Sequence, residues 1–132
     1  MKKFVNKVDD ILTESLTGFG NAHSDILEVK LKPDFIARKS KPKNPKVALI
    51  SGGGSGHEPL HGGFVGYGML DAACPGQVFS APTPDQMEAA ANHVHSSKGI
   101  LFIVKNYSGD IMNFEMGADM LNLEHQTIVV ND

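Results

Sequence analysis

The sequence has the size of one small globular domain. It contains 132 residues, of which 41% are hydrophobic and 20% charged, with a formal net charge of −3 and an isoelectric point near 6.0. A chain of this length can bury one modest core but not two independent ones. The slightly acidic balance argues against nucleic acid or an anionic membrane as a partner.

Cysteine usage and the N-terminus both indicate a cytoplasmic protein. Cys74 is the single cysteine, so no internal disulfide can form, and we expect a buried thiol in a reducing compartment. Lys2 and Lys3 are followed by the acidic Asp9 and Asp10 instead of the apolar segment of a secretion signal. No later stretch approaches the ~18 apolar residues of a membrane-spanning helix.

An amphipathic helix is predicted near the start of the chain. Apolar residues recur there at three- and four-residue spacing, the pattern of a helix with one buried face, at Phe4, Val5, Val8, Ile11, Leu12 and Leu16. Gly18 and Gly20 predict the end of this helix, since glycine is common just past a helix C-terminus. The pattern over residues 26–35 is mixed and predicts no clear element.

A basic segment with two prolines comes next. Its residues are Arg38, Lys39, Lys41, Pro42, Lys43, Pro45 and Lys46. Prolines interrupt regular structure and like charges repel one another, so we expect a solvated surface connector. A phosphate-binding basic patch is the alternative interpretation.

Strand and helix patterns alternate over the remainder of the chain. Apolar runs predict strands at residues 47–50, 99–104 and 127–130, and more weakly at 77–80. Thr83, Pro84 and Gln86 provide an N-cap, a first-turn proline and a capping-box residue for a helix that runs to about Val94. A further helix is predicted from residue 111 to residue 121.

This alternation predicts an α/β fold with an open, mixed, mostly parallel sheet flanked by helices. We expect ligand-binding loops at the carboxyl ends of its strands, because ligands of open α/β sheets collect there. The chain stops as soon as its last predicted strand is complete. We therefore expect residues 1–132 to be the N-terminal part of a longer domain.

Two polar, glycine-rich turns follow predicted strands. They are residues 51–59 (SGGGSGHEP) and residues 105–110 (KNYSGD). So many glycines indicate positive φ angles or a backbone that approaches a ligand closely, although a tight connection without a ligand is the alternative. His57, Lys105 and Asp110 could each have a structural role, Asp110 as a helix N-cap. We expect all three side chains at one edge of the sheet, and this common location favours a shared binding site.

Several known motifs match this region only in part. His57 to His61 read H-E-x-x-H, but Pro59 prevents the two histidines from sharing a helical face and so excludes a zinc site. The P-loop requires a lysine after its last glycine, where this sequence has His57. His57 also replaces the glycine that the dinucleotide-binding and nucleophile-elbow motifs require. We predict no metal and no cofactor on this chain.

The two turns resemble those of the dihydroxyacetone kinase family, in particular its dihydroxyacetone-binding subunit. Three shorter segments occur in the same order as in that family: residues 74–76 (CPG), 82–85 (PTPD) and 113–115 (NFE). The resemblance covers essentially the whole chain. It implies a transferase component that holds dihydroxyacetone for phosphorylation.

The resemblance also implies the site residues. Gly54, Ser55, Gly56, His57, Lys105 and Asp110 would bind the ketose, and His57 and Asp110 would serve as acid and base. It further implies ATP or ADP with Mg²⁺ on a separate nucleotide-binding subunit, a glycerol-metabolic or phosphotransferase-system role, and a homodimer. Family members also contain a later histidine that binds the ketone covalently. His61, His93, His95 and His125 do not lie in a motif that matches it, and we expect each of them to be a surface or structural residue.

Two alternatives to the kinase component stay open from sequence. The same loops could sense dihydroxyacetone for a transcription partner without supporting phosphoryl transfer. An unrelated α/β domain could instead use the glycine turn as a nest for phosphate or a phosphosugar. The first alternative shares the preference for a neutral triose, whereas the second predicts competition by phosphate.

Overall fold

The computed structural model describes residues 2–131, which form a six-stranded sheet with helices on both faces. The helices are α1 (Ile11–Ala22), α2 (Pro84–Val94) and α3 (Ser108–Asp119), and short 3₁₀ turns lie at Val8–Asp10 and Gly62–Phe64. The strands are β1 (Leu27–Lys30), β2 (Phe35–Arg38), β3 (Ala48–Ser55), β4 (Ala72–Val78), β5 (Ile100–Lys105) and β6 (His125–Val130). None of the described helices is long and apolar enough to cross a membrane.

The strands are arranged in the order β1-β2-β4-β3-β5-β6. β4, β3, β5 and β6 run parallel, and β1 and β2 join as antiparallel strands at one edge. This arrangement confirms the predicted open, mixed, mostly parallel α/β sheet. It also brings the carboxyl ends of β3, β4 and β5 next to one another at one edge.

The core has two parts, one on each face of the sheet. Successive residues of a strand face opposite sides of the sheet. Ala72 and Cys74 therefore pack toward α2 and α3, whereas Ala73 packs toward α1. The α2–α3 side is centred on Phe102 and Phe114, whose rings meet edge to face at 5.7 Å. Cys74 is fully buried there, and burial raises the pKa of its thiol.

The first helix differs from its prediction at both ends. It begins at Ile11, after the 3₁₀ turn, and continues through Gly18 and Gly20 to Ala22. A Cβ atom on Gly20 would lie 2.9 Å from Cγ2 of Val29, so glycine here lets α1 pack closely on β1. The predicted stop at the glycines is wrong because one of them is a packing residue.

The antiparallel strands β1 and β2 were missed, and with them the burial of Arg38. The Arg38 guanidinium lies 3.3 Å from the buried Asp71 carboxylate, which also accepts hydrogen bonds from Lys46 Nζ and, at 2.8 Å, from Leu49 N. The expectation of an exposed connector is therefore wrong for Arg38. Lys39, Lys41 and Lys43 are exposed as predicted.

The regular elements after residue 46 are mostly as predicted. α2 ends at Val94, and Thr83 N donates to Gln86 Oε1 at 2.8 Å as the capping box requires. β5 and β6 are within two residues of their predicted bounds. Helix α3 begins at Ser108, which makes Asp110 a first-turn residue and excludes it as the N-cap.

Two boundaries in the same region are wrong. The weak strand at 77–80 is replaced by β4, which begins at Ala72 and ends at Val78, because its small residues give little strand signal. β3 extends to Ser55, so Gly52, Gly53 and Gly54 belong to a strand and not to a turn.

Candidate functional site

The three glycines of β3 leave room for three different neighbours. A Cβ atom on Gly52 would lie 2.5 Å from the carbonyl oxygen of Cys74 in the adjacent strand. One on Gly53 would lie 2.7 Å from Lys105 Nζ, and one on Gly54 would lie 2.7 Å from the Ser80 backbone nitrogen. The glycines therefore allow the neighbouring strand, a charged side chain and the loop after β4 to approach the backbone of β3.

Lys105 and Asp110 lie on consecutive elements at this edge. Lys105 is the last residue of β5, and Asp110 is in the first turn of α3. Lys105 Nζ is 3.9 Å from Asp110 Oδ2 and 5.2 Å from the centre of the Tyr107 ring. Burial raises the pKa of Asp110, although the positive charge of Lys105 and the nearby His57 oppose the rise. The carboxylate is thus made more basic than an exposed aspartate.

His57 follows the only residue of the 52–56 run with positive φ, Gly56 at +104°. The imidazole contacts the ring of Phe79, with centroids 5.1 Å apart and planes at 85°. Phe79 lies in the loop after β4, and its backbone N–H donates to Ser55 O at 2.8 Å. The ends of β3 and β4 are thereby joined beside the imidazole.

One cavity of about 270 Å³ brings the two polar segments together. Its walls include the predicted residues Gly54, His57, Lys105 and Asp110. The remaining walls are Phe79, Ser80, Ala81, Tyr107 and Gly109. The structure therefore places the histidine loop and the aspartate turn around the same space.

Ser55 and Gly56, also predicted as ligand-binding residues, are not among the residues that line this cavity. Ser55 is buried, and its hydroxyl donates to Gly76 O at 2.7 Å. Gly56 N donates to Glu58 Oε2 at 2.8 Å, and the Gly56 α-carbon lies beneath the Phe79 ring. Their arrangement indicates that they shape the loop, and a direct contact with a ligand stays a prediction.

The chemistry of the cavity suits a small, uncharged, hydroxyl-rich molecule. Its volume lies just below the roughly 300–1,000 Å³ of sites for drug-sized ligands. A carboxylate accepts hydrogen bonds, an ammonium group donates them, and a neutral imidazole does both. Because Asp110 offsets the charge of Lys105, the site has no cluster of free cations of the kind that favours a phosphate group.

The sequence interpretation missed two residues of this region. Phe79 received no role, although it is a large apolar residue directly after a strand. His61 was expected to be a surface or structural residue; it lies half-buried beside the site, and its Cε1 would be 3.1 Å from a Cβ atom on Gly53. Burial, then Lys105 and His57, lower the pKa of His61 to about 4. A histidine five residues past a glycine run carries no sequence signal that distinguishes it from a structural one.

Two of the other histidines have hydrogen-bond partners nearby. His93 Nε2 lies 2.7 Å from Glu28 Oε1, and His125 Nδ1 lies 2.9 Å from Leu123 O. His61 lines a second, neighbouring cavity, whereas His57 lines the candidate cavity itself. Within residues 2–131, no group of three or more histidine, cysteine and acidic side chains could hold a metal ion.

Comparison with known proteins shows the family. A model of the Dak1 domain matches residues 17–132. The chain belongs to the Dak1 domain family. This membership confirms the resemblance to dihydroxyacetone kinases that the two polar turns carry.

This Dak1 chain is similar to a kinase subunit, a kinase and a co-activator of a kinase operon. The PEP-dependent dihydroxyacetone kinase, dihydroxyacetone-binding subunit DhaK, of Escherichia coli K12 is 46% identical over 135 residues. A solved dihydroxyacetone kinase from C. freundii, in complex with AMP-PNP and Mg²⁺, is 37% identical with a TM-score of 0.90. A dihydroxyacetone kinase operon co-activator, Dha-DhaQ, is 33% identical with a TM-score of 0.85.

The Dak1 chain corresponds to a minor part of each of these proteins. The matches cover 100% of this chain but 38% of the Escherichia coli subunit, and 99% of this chain but 26% of the C. freundii kinase. For the co-activator the shares are 90% of this chain and 37% of that protein. The fold and family of the matched part follow from this similarity.

Proposed function

We propose that this chain is the ketose-binding part of a dihydroxyacetone kinase, which holds dihydroxyacetone while a phosphoryl group is transferred to it. The observation that carries the proposal is the single cavity shared by His57, Lys105 and Asp110 at the carboxyl edge of the sheet. Kinase relatives with the same domain support the substrate class and the reaction.

The proposed reaction requires a base beside one substrate hydroxyl. As the hydroxyl oxygen forms its bond to phosphorus, the P–O bond to the donor breaks and the hydroxyl proton passes to Asp110 or His57. The raised pKa of Asp110 suits it to accept a proton, and a well-placed base contributes roughly 10²–10⁴-fold to rate. Lys105 would offset the negative charge that collects on the transferred group.

The phosphoryl donor is proposed to lie on a partner. The chain has no P-loop lysine, and the described residues form no cluster of metal ligands. ATP or ADP with Mg²⁺ is therefore assigned to a nucleotide-binding subunit or domain, as supported by the AMP-PNP and Mg²⁺ of the C. freundii kinase. The phosphoenolpyruvate-dependent name of the Escherichia coli relative favours a phosphotransferase-system relay.

The proposal extends to location and assembly. A cytoplasmic protein is supported by the lone, fully buried thiol of Cys74, which needs no oxidising compartment. A homodimer is inferred from the family resemblance. Neither nucleic acid nor a membrane is proposed as a partner, in agreement with the net charge of −3.

A second candidate function is ligand sensing without phosphoryl transfer. The similarity to an operon co-activator favours it, because that protein shares the fold at 33% identity. The paired His57 and Asp110 favour the kinase, since a sensor needs hydrogen bonds to the triose but no base.

A coupled phosphorylation assay separates these functions. The full-length protein would be combined with candidate nucleotide-binding subunits and dihydroxyacetone, in the wild-type form and as Asp110→Asn and His57→Ala. The kinase proposal expects product from the wild type and a loss of about 10²-fold or more in each variant. Triose binding without turnover under every donor condition would favour the sensor, and displacement of the triose by inorganic phosphate would contradict both.

A further inference from the structure

The backbone of Phe79 is unusual for a bulky residue. Its φ angle is +52°, in the left-handed region that glycine and asparagine enter readily and other residues rarely adopt. Strained backbone of this kind persists where surrounding contacts hold it, and it is concentrated at functional sites. The Phe79 side chain is also 70% exposed, so burial of apolar surface does not account for its position.

Contacts with the glycine strand hold the loop in place. Phe79 N donates to Ser55 O at 2.8 Å, and Ser80 N donates to Gln77 O at 2.9 Å. A Cβ atom on Gly54 would lie 3.0 Å from the Phe79 carbonyl carbon, and one on Gly56 would lie 2.8 Å from the Phe79 ring. The glycines thus leave space for both the loop and the ring above them.

The Phe79 ring is placed against the His57 imidazole. Within residues 2–131, the His57 imidazole makes no side-chain hydrogen bond, whereas catalytic imidazoles are usually oriented by one. Its contact with Phe79 is edge to face at 5.1 Å, within the separations that aromatic pairs favour. Both rings line the candidate cavity.

We propose that Phe79 is a positioning residue that holds the His57 imidazole toward the cavity, and that its left-handed backbone serves to present the ring there. The part of this inference that concerns turnover rests on the proposed kinase function. The packing of the Phe79 ring against the His57 imidazole does not depend on that function.

The test compares three substitutions in the full-length protein with its nucleotide-binding partner. Phe79→Tyr keeps an aromatic ring, Phe79→Leu keeps apolar bulk without one, and Phe79→Asn removes the ring while suiting the left-handed backbone. We expect Phe79→Tyr to retain activity. The other two should lower kcat about tenfold, a part of the 10²–10⁴-fold that a placed base contributes, with little change in KM.

Two further readouts distinguish positioning from simple loss of structure. The ring protons of His57 should lose their aromatic ring-current shift in Phe79→Leu and Phe79→Asn but keep it in Phe79→Tyr. Denaturation should show that Phe79→Asn is at least as stable as the wild type, because asparagine relieves the backbone strain. Phe4→Leu, at an exposed phenylalanine outside the cavity, is the control and should change none of these quantities.

The inference is overturned if Phe79→Leu and Phe79→Asn keep wild-type kcat, or if the His57 ring-proton shifts are the same in all variants. Loss of activity in Phe79→Tyr while stability and the His57 ring-proton shifts are kept would also contradict it. If the wild type transfers no phosphoryl group, the proposed kinase function fails. The ring-proton shifts still decide whether Phe79 positions His57, since they require no turnover.

Discussion

The ammonium group of Lys105 lies over the α-carbon of Gly53. A Cβ atom at Gly53 would be 2.7 Å from Lys105 Nζ and 2.9 Å from Lys105 Cε. The absence of a side chain on β3 therefore lets a cation from β5 cross the strand end and approach Asp110. The glycine run is thus coupled to the electrostatics of the candidate site.

Alanine substitutions at neighbouring glycines should separate stability from function. In Gly52→Ala the new Cβ meets the backbone of β4, at 2.5 Å from Cys74 O, so we expect a loss of about 1–3 kcal/mol in unfolding free energy. In Gly53→Ala it meets the flexible end of Lys105. This variant should stay folded but lose about tenfold in phosphorylation rate, because Lys105 is proposed to stabilise the negative charge of the transferred group. Equal destabilisation of both variants, measured by urea denaturation, would contradict this explanation.

The pKa of Asp110 should determine where activity falls on the acidic side of the pH–activity profile. Its pKa is raised by burial, so kcat/KM should fall as pH decreases through a value above the ordinary aspartate range. Asp110→Asn should remove that limb along with most of the activity. A profile whose acid limb is unchanged in the residual activity of Asp110→Asn would assign the limb to another group.

The same raised pKa predicts an effect of the opposite sign on stability. The unfolded chain releases the Asp110 proton at lower pH than the folded chain, so this group makes stability decrease as pH rises above the ordinary value of 3.8. Asp110→Asn should therefore remain folded, and its stability should no longer decrease over this pH range on account of this group. Chemical denaturation from pH 3.5 to pH 7 measures it, and a steeper decline in the variant would show that the sign is wrong.

His61 should contribute a stability change at mildly acidic pH. Its pKa is lowered from 6.5 to about 4, so the folded chain favours the neutral imidazole. That contribution is fully present above pH 6.5 and is lost as pH falls through about 4. His61→Gln should flatten the stability profile between these values relative to the wild type. An NMR titration that finds His61 protonating near pH 6.5 would contradict the prediction.

The buried ion pair of Arg38 and Asp71 should be essential for stability. Asp71→Asn would leave the Arg38 charge buried and poorly compensated, at a cost of about 3–5 kcal/mol. The matched control is Lys30→Met, which breaks the partly exposed pair with Glu28 and should cost about 0–1 kcal/mol. Urea denaturation of both variants measures the difference. Similar losses would show that Arg38 is compensated by other groups.

Much of the parallel part of the fold was predictable because its signals are local. The Thr83–Gln86 capping box and the apolar run of β5 each specify their element without help from distant residues. The β1–β2 pair was not predictable, because its strands are four residues each and Arg38 reads as a surface charge. Its burial depends on Asp71, which lies 33 positions away.

The candidate site, too, was predictable from the sequence only in part. Lys105 ends a strand and His57 and Asp110 follow strands, and the rule that parallel strands end at one edge was sufficient to bring them together. The positions of Phe79 and His61 beside the site were not predictable, because they depend on contacts with β3 at glycines, which carry no side-chain signal. The glycine run was predicted as a ligand turn, yet three of its residues serve strand packing.

The convergence of the two polar segments on one triose site is tested most directly by NMR titration of the labelled full-length protein with dihydroxyacetone. We expect the His57 ring signals and the Gly109 and Asp110 amide signals to shift together with one dissociation constant, and inorganic phosphate not to compete. Shifts confined to one of the two segments, or displacement of the triose by phosphate, would contradict it.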